Sequence, residues 1–222
     1  MNHLPPLVEV PFDLRHQCWF CSEPSNDVFS YYAKPSTPHP ALTVPACSEC
    51  ARLAKKNPLT SIWDCRDGVK DELMKIYHKD LAIGINWTEE ELEESGFDCR
   101  ILSGFKESAW MMYNIAKGRI NAKGWPLVLN AVDIEQGYSG QFEFDGLTFN
   151  SLTKAINHYC DTLMLNKYLL SELLNIVGKE KFAYAVRLCR MNIGITKEHQ
   201  KLLLQQVKEE FEQVQSKMLN AV

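Results

Sequence analysis

No stretch of the chain approaches the roughly 18 consecutive apolar residues that a helix needs to cross a bilayer, so no helical membrane span is expected. The opening Met1-Asn2-His3-Leu4-Pro5-Pro6 lacks the basic region and apolar core of a secretory signal. Positive charge is not in excess either. Twenty-four Lys and Arg stand against 28 Asp and Glu, a formal net charge of −4, which argues against a generally cationic nucleic-acid coat and leaves room only for a local basic face. There is no solenoid-type repeat and no low-complexity tract. These absences lead us to expect a globular protein of the cytoplasm with no membrane partner.

Cysteine is plentiful by contrast. Eight cysteines without a secretory signal point to a reducing compartment, where thiols and metal ligation are favoured over disulfides. Four of them form two CxxC pairs, Cys18-Trp19-Phe20-Cys21 and Cys47-Ser48-Glu49-Cys50, on either side of a proline-rich stretch. In each pair, two intervening residues let both sulfurs turn toward one ion. Four soft thiolates at about 2.3 Å satisfy a closed tetrahedral structural zinc site. Trp19 and Phe20 are expected to pack around the ion and exclude solvent. A thioredoxin-like redox use would place one CxxC at a helix start after a strand, not two pairs bracketing a proline-rich loop. The remaining Cys65, Cys99, Cys160 and Cys189 are scattered and read as buried apolar side chains. His16 and His39 could line the site, but four sulfurs need neither.

Prolines at positions 24, 35, 38, 40 and 45 exclude a long helix between the pairs. Extended pieces are expected at Val28–Ala33 and Ala41–Val44. After the second pair, Ala51-Arg52-Leu53-Ala54-Lys55-Lys56 favours helix and stops before Pro58. The second knuckle would therefore open a helix, whose dipole and free N–H groups suit thiolates. Knuckle, irregular hairpin, then knuckle on a helix is a treble-clef order.

The string Val44-Pro45-Ala46-Cys47-Ser48-Glu49-Cys50 resembles the zinc half of the HNH nucleases over roughly residues 15–60. The resemblance implies a treble-clef fold and nucleic acid as a partner. Departures from the family pattern fall on the chemistry. With Pro35 aligned to the family proline, the general-base histidine becomes Tyr32, and two asparagines become Leu42 and Ala51. Tyrosine ionises near pH 10 and is a poor base at neutral pH, while Leu42 and Ala51 bind no metal. The scaffold is retained and the catalytic positions are not; an alternative alignment would bring His39 to the base position.

Downstream, the periodicity predicts a helix from about Ile62 to Leu81, with Gly84 as an interruption. A capping box, Thr88 to Glu91, starts a short acidic helix ending at Gly96. A helix from Ser103 to about Lys123 would turn Ala109, Trp110, Met112, Tyr113, Ile115, Ala116 and Ile120 inward. Leu127–Ile134 reads as a strand, and 141–150 as a hairpin around Asp145-Gly146. Further helices are expected at Leu152–Leu163, Lys167–Val177, Lys179–Met191 and Thr196 to about Leu219. Gly146, Phe149, Ser151 and Ala155 are spaced similarly to the small helix-turn-helix repeats attached to some intron-encoded nucleases. In the last helix Leu204, Val207, Phe211, Val214, Met218 and Ala221 recur by three and four, a seam for packing another helix.

The fold class expected is α+β, mostly helical. A zinc-binding domain would cover 1–98, and a helical domain with the hairpin would cover 99–222. The function expected is that of a non-catalytic zinc protein with Cys18, Cys21, Cys47 and Cys50 as ligands. Arg52, Lys55 and Lys56 are its nucleic-acid-binding candidates, for DNA or RNA. Two alternatives stand beside it: a divergent metal-dependent HNH endonuclease, and an interaction module that binds a protein partner or a second copy through its C-terminal helix.

Overall fold

A computed structural model of the chain describes residues 4–56, 60–95, 100–134 and 141–219. The class is α+β and mostly helical, with three small antiparallel strand pairs among the described residues. Two compact units divide the chain between Asn150 and Ser151, rather than between residues 98 and 99.

In the first unit, residues 5–9 run extended beside the hairpin β1 (Asp27–Tyr31) and β2 (Leu42–Ala46). Thr43 anchors them: its N–H donates to Pro6 O at 2.8 Å, its hydroxyl to Pro5 O at 2.8 Å, and its carbonyl accepts from Val8 N at 3.0 Å. Every residue of β2 is buried, because the lead-in strand and helix α1 (Ser48–Lys56) cover it. Pro45 is tolerated there: its carbonyl accepts from Trp19 N at 2.9 Å, and no N–H of its own is needed.

The helix expected from Ile62 to Leu81 is two, α2 (Ile62–Ile76) and α3 (His78–Asn86), with Tyr77 between them at φ −95°, ψ 16°. The break turns the Tyr77 hydroxyl toward Glu49, to which it donates at 3.0 Å. Gly84 does not interrupt α3 but lies within it. An added Cβ there would fall inside the ring of Tyr113, so glycine permits the close approach of α3 to the long helix α5 (Arg100–Asn121). The short helix α4 (Glu89–Glu94) carries the expected capping box in full, with Thr88 and Glu91 bonded reciprocally. In α5, Tyr113, Ala116 and Ile120 are buried as expected, whereas Met112 and Ile115 are exposed by 39% and 40%.

Leu127–Ile134 is not one strand but a tight hairpin, β3 (Leu127–Leu129) and β4 (Val132–Ile134). Asn130 and Ala131 turn it at φ 52° and 60°. The Asp-Gly hairpin forms as expected, β5 (Phe142–Phe144) and β6 (Leu147–Phe149). Asn121 at the end of α5 holds it by donating to Gly146 O at 2.6 Å and accepting from Thr148 N at 3.0 Å.

The boundary lies beyond α5 because the first knuckle is bonded to the segment between α5 and β3. Trp19, fully buried, donates through Nε1 to Trp125 O at 3.0 Å. Arg66 lies over the Trp19 and Trp63 rings and donates to Lys123 O at 2.5 Å. Gly124, at φ 66°, has no room for a side chain, since a Cβ would sit 2.8 Å from Trp19 O.

The second unit consists of α6 (Leu152–Leu163), α7 (Lys167–Val177), α8 (Phe182–Met191) and α9 (Lys197–Leu219). A 3-10 turn, Lys179–Lys181, precedes α8 where one longer helix was expected. Helix α7 is central. Its buried Leu169, Leu170, Leu173 and Leu174 make a core to which Tyr159, Phe182 and Ala185 also belong. Along the expected seam, Val207 is buried and α9 packs on α7 within the unit. The side chains of Val214 and Met218, and Ala221 entirely, lie outside the described residues.

Candidate metal centre

Cys18 begins a tight turn. Its carbonyl accepts from Ser22 N at 2.9 Å, its N–H donates to Glu23 O at 2.7 Å, and Ser22 takes φ 61°. This folds the Cys18 and Cys21 side chains to one side. Cys47 stands just before α1 and Cys50 in its first turn, a spacing that turns both sulfurs the same way. Asn26 steadies that helix start by accepting from Ser48 N at 3.1 Å. Residues 27–46 form the hairpin that returns the second pair to the first.

The four Sγ atoms lie within 4.8 Å of one another, and Cys21 and Cys47 are separated by 3.8 Å. A tetrahedron with metal–sulfur bonds of about 2.3 Å has edges of about 3.8 Å. A disulfide needs about 2.05 Å, and all four thiols are free. Cys18, Cys21 and Cys50 are buried and Cys47 half-buried, so an ion here would be shielded from water. Among the described residues these four cysteines could hold a metal ion.

The thiols are unequal. Hydrogen bonds from Cys18, then Cys21 and Cys50, hold Cys47 well below the usual thiol range. The same crowding pushes Cys50 up through Cys18, Cys21 and Cys47, and pushes Cys21 up through Cys18 and Cys47. Negative charge accumulates here only with difficulty unless a cation joins it. The Cys50 N–H lies 3.4 Å from Cys47 Sγ and supplies part of that compensation.

Arg119 supplies more, and no motif pointed to it. Its Nη2 lies 3.7 Å from Cys21 Sγ and 2.6 Å from Glu49 Oε2, and its Nη1 donates to the Tyr77 hydroxyl. The guanidinium also sits 4.7 Å from the Tyr77 ring centroid. Burial alone would lower its pKa; the Glu49 hydrogen bond, with Cys21 and Tyr77, outweighs burial and raises it. Arg119 is therefore a fixed charge beside the sulfurs. It lies 98 residues from Cys21 in sequence and obeys no metal-ligand spacing, so only the packing of α5 reveals it.

The other residues singled out in the sequence separate clearly. His16 is exposed. His39 is buried, lies tilted against the Tyr31 ring with centroids 5.0 Å apart, donates through Nδ1 to Pro40 O at 2.8 Å and accepts at Nε2 from Ile62 N at 2.8 Å. It therefore caps α2, with both ring nitrogens engaged by backbone. Tyr32 is exposed by 59%, whereas Leu42 and Ala51 are 0% and 1% exposed in the core. Arg52, Lys55 and Lys56 lie on α1, and Arg52 and both lysines differ in burial from the sulfur-bearing face. Cys65, Cys160 and Cys189 are buried as expected, and burial pushes their thiols up to about 12, 11 and 12. Cys99 lies outside the described residues. No helix of the described chain is long and apolar enough to cross a membrane. Comparison with protein-family models, curated proteins and solved structures finds no match to this chain.

Proposed function

We propose that the chain is a non-catalytic zinc protein, a treble clef resembling HNH nucleases, that contacts nucleic acid through α1. The observation that carries the metal reading is the sulfur arrangement, whose 3.8 Å edge suits tetrahedral ligation and is far too long for a disulfide. Tetrahedral thiolate sites take zinc or iron, and a closed shell with no open position suits structural zinc. Bound metal replaces part of the hydrophobic core that a small knuckle region cannot bury by itself.

The absence of catalysis is supported by the surroundings of the relevant side chains. Leu42 and Ala51 stand in the core, and the nitrogens of His39 are occupied by Pro40 and Ile62. Contact with nucleic acid is supported by Arg52, Lys55 and Lys56, which are exposed on the helix that closes the cysteine cluster. Such cations bind phosphates in a salt-dependent and largely sequence-independent way.

Elemental analysis should find about one zinc per chain; iron, with its visible charge-transfer absorption, would overturn the assignment of the metal. Fluorescence anisotropy with a duplex DNA and an RNA should show affinity falling linearly with salt on logarithmic axes. Replacing Arg52, Lys55 and Lys56 together by Gln should shrink that slope by about 2 to 3. An unchanged slope would remove α1 from the interface. Plasmid nicking with magnesium or manganese that disappears in His39→Ala would restore the endonuclease reading.

A further inference from the structure

A cavity of about 860 Å³ opens between α4, α5 and the turn that carries Cys21 and Glu23, and none of the α1 cations on which the nucleic-acid reading rests lines it. Its α5 wall is built from positions three and four apart, beginning at Lys106 and ending at Arg119. Such a face extends about 20 Å at 1.5 Å per residue. Leu92, Trp110, Met111 and Ile115 supply apolar surface, and Met111 and Ile115 are exposed by 56% and 40%. The polar lining is acidic, with Glu23, Glu89, Glu93 and Glu107.

The two cations in the lining are engaged by other groups. Lys106 donates to the carbonyls of Glu93, at 2.9 Å, and of Ser95. Arg119 is committed to Glu49 and Tyr77. The ion pairs Lys75–Glu72, Arg119–Glu49 and Lys208–Glu212 use none of the four groove carboxylates. The groove thus combines an apolar floor, an acidic rim and the length of about four helical turns.

We propose that this groove docks a basic amphipathic helix of a partner protein. Its apolar stripe would lie on Trp110, Met111 and Ile115, as helices lie in hydrophobic grooves, with Lys and Arg flanking the stripe facing the glutamates. Charge excludes nucleic acid from the same surface, and the length of the α5 wall favours a helix over a compact small molecule.

The test is to pan a display library of random peptides of about 16 residues, long enough to span such a wall, against the metal-loaded full chain. Recovered sequences should be net positive, with apolar residues spaced three and four apart. Binding should fall at least tenfold in the Glu93→Lys/Glu107→Lys variant and in Met111→Asp, with circular dichroism and metal content unchanged. Raising salt should weaken it. No enrichment, enrichment of neutral or acidic peptides, or peptides that bind both variants as they bind wild type would overturn the proposal. So would a concentration-dependent doubling of mass abolished by Glu107→Lys, which would make the occupant a second copy of this chain.

Discussion

Arg119 is the residue on which the environment of the cysteine cluster turns. It brings positive charge to Cys21 and, through Glu49 and Tyr77, ties the start of α1 to the junction of α2 and α3. Residues that orient metal ligands in this way typically change affinity by about 10–100-fold when removed. Arg119→Gln should therefore lower zinc affinity within that range, read by competition with a chromophoric chelator. The same substitution also leaves Glu49 without its ion-pair partner, so melting temperature should fall as well. Retention of full affinity would show that the arginine only packs. On the proposed four-sulfur ligation, Cys47→Ser leaves three sulfurs, and one-to-one metal binding should be lost.

At the scale of single elements, α2 carries an unfavourable charge. Lys70 is 6% exposed, and burial, aided by Arg66 and opposed by Asp67 and Asp71, lowers its pKa from 10.5 to about 8. The folded protein binds this proton less tightly than the unfolded chain. The charged amine therefore costs stability at neutral pH, and stability contributed by this group rises between about pH 8 and 10.5. Lys70→Met should raise stability by about 1–3 kcal/mol at pH 7, with the gain shrinking toward about pH 10. Denaturant titrations at both pH values check this. The packing of α3 on α5 yields a second expectation. A methyl group at Gly84 meets the Tyr113 ring, so Gly84→Ala should destabilise by about 1–3 kcal/mol despite the better helix propensity of alanine.

For the whole molecule, the two units have separate cores, and the four-cysteine cluster belongs to the first. Chelation should loosen the first unit well beyond residues 15–60, because Trp19 bonds to Trp125 and Arg119 reaches Cys21. Residues 151–222 contain no member of the four-cysteine cluster and keep their own leucine core on α7. Hydrogen exchange after zinc removal should thus show protection lost up to about residue 126 and retained in α7 and α8. Equal loss in both units would mean that they unfold together.

Several features were determined locally and are legible in the chain. The CxxC spacing sets which way each pair of sulfurs turns. Thr88 and Glu91 define a capping box, and Asp145-Gly146 defines a hairpin, because each depends on residues a few positions apart. The α+β, mostly helical class rests on such signals taken together. Features that depend on distant partners were not legible. Tyr77 stands at a break between α2 and α3 where one helix to Leu81 was expected, and its hydroxyl bonds to Glu49 from there. Met112 and Ile115 are exposed on α5, because which of its apolar positions are covered depends on the elements packed against it, which periodicity alone does not reveal. Only the tertiary structure brought Arg119 to the sulfurs and moved the boundary to Asn150, since charge compensation and burial act through space between residues with no fixed spacing in sequence.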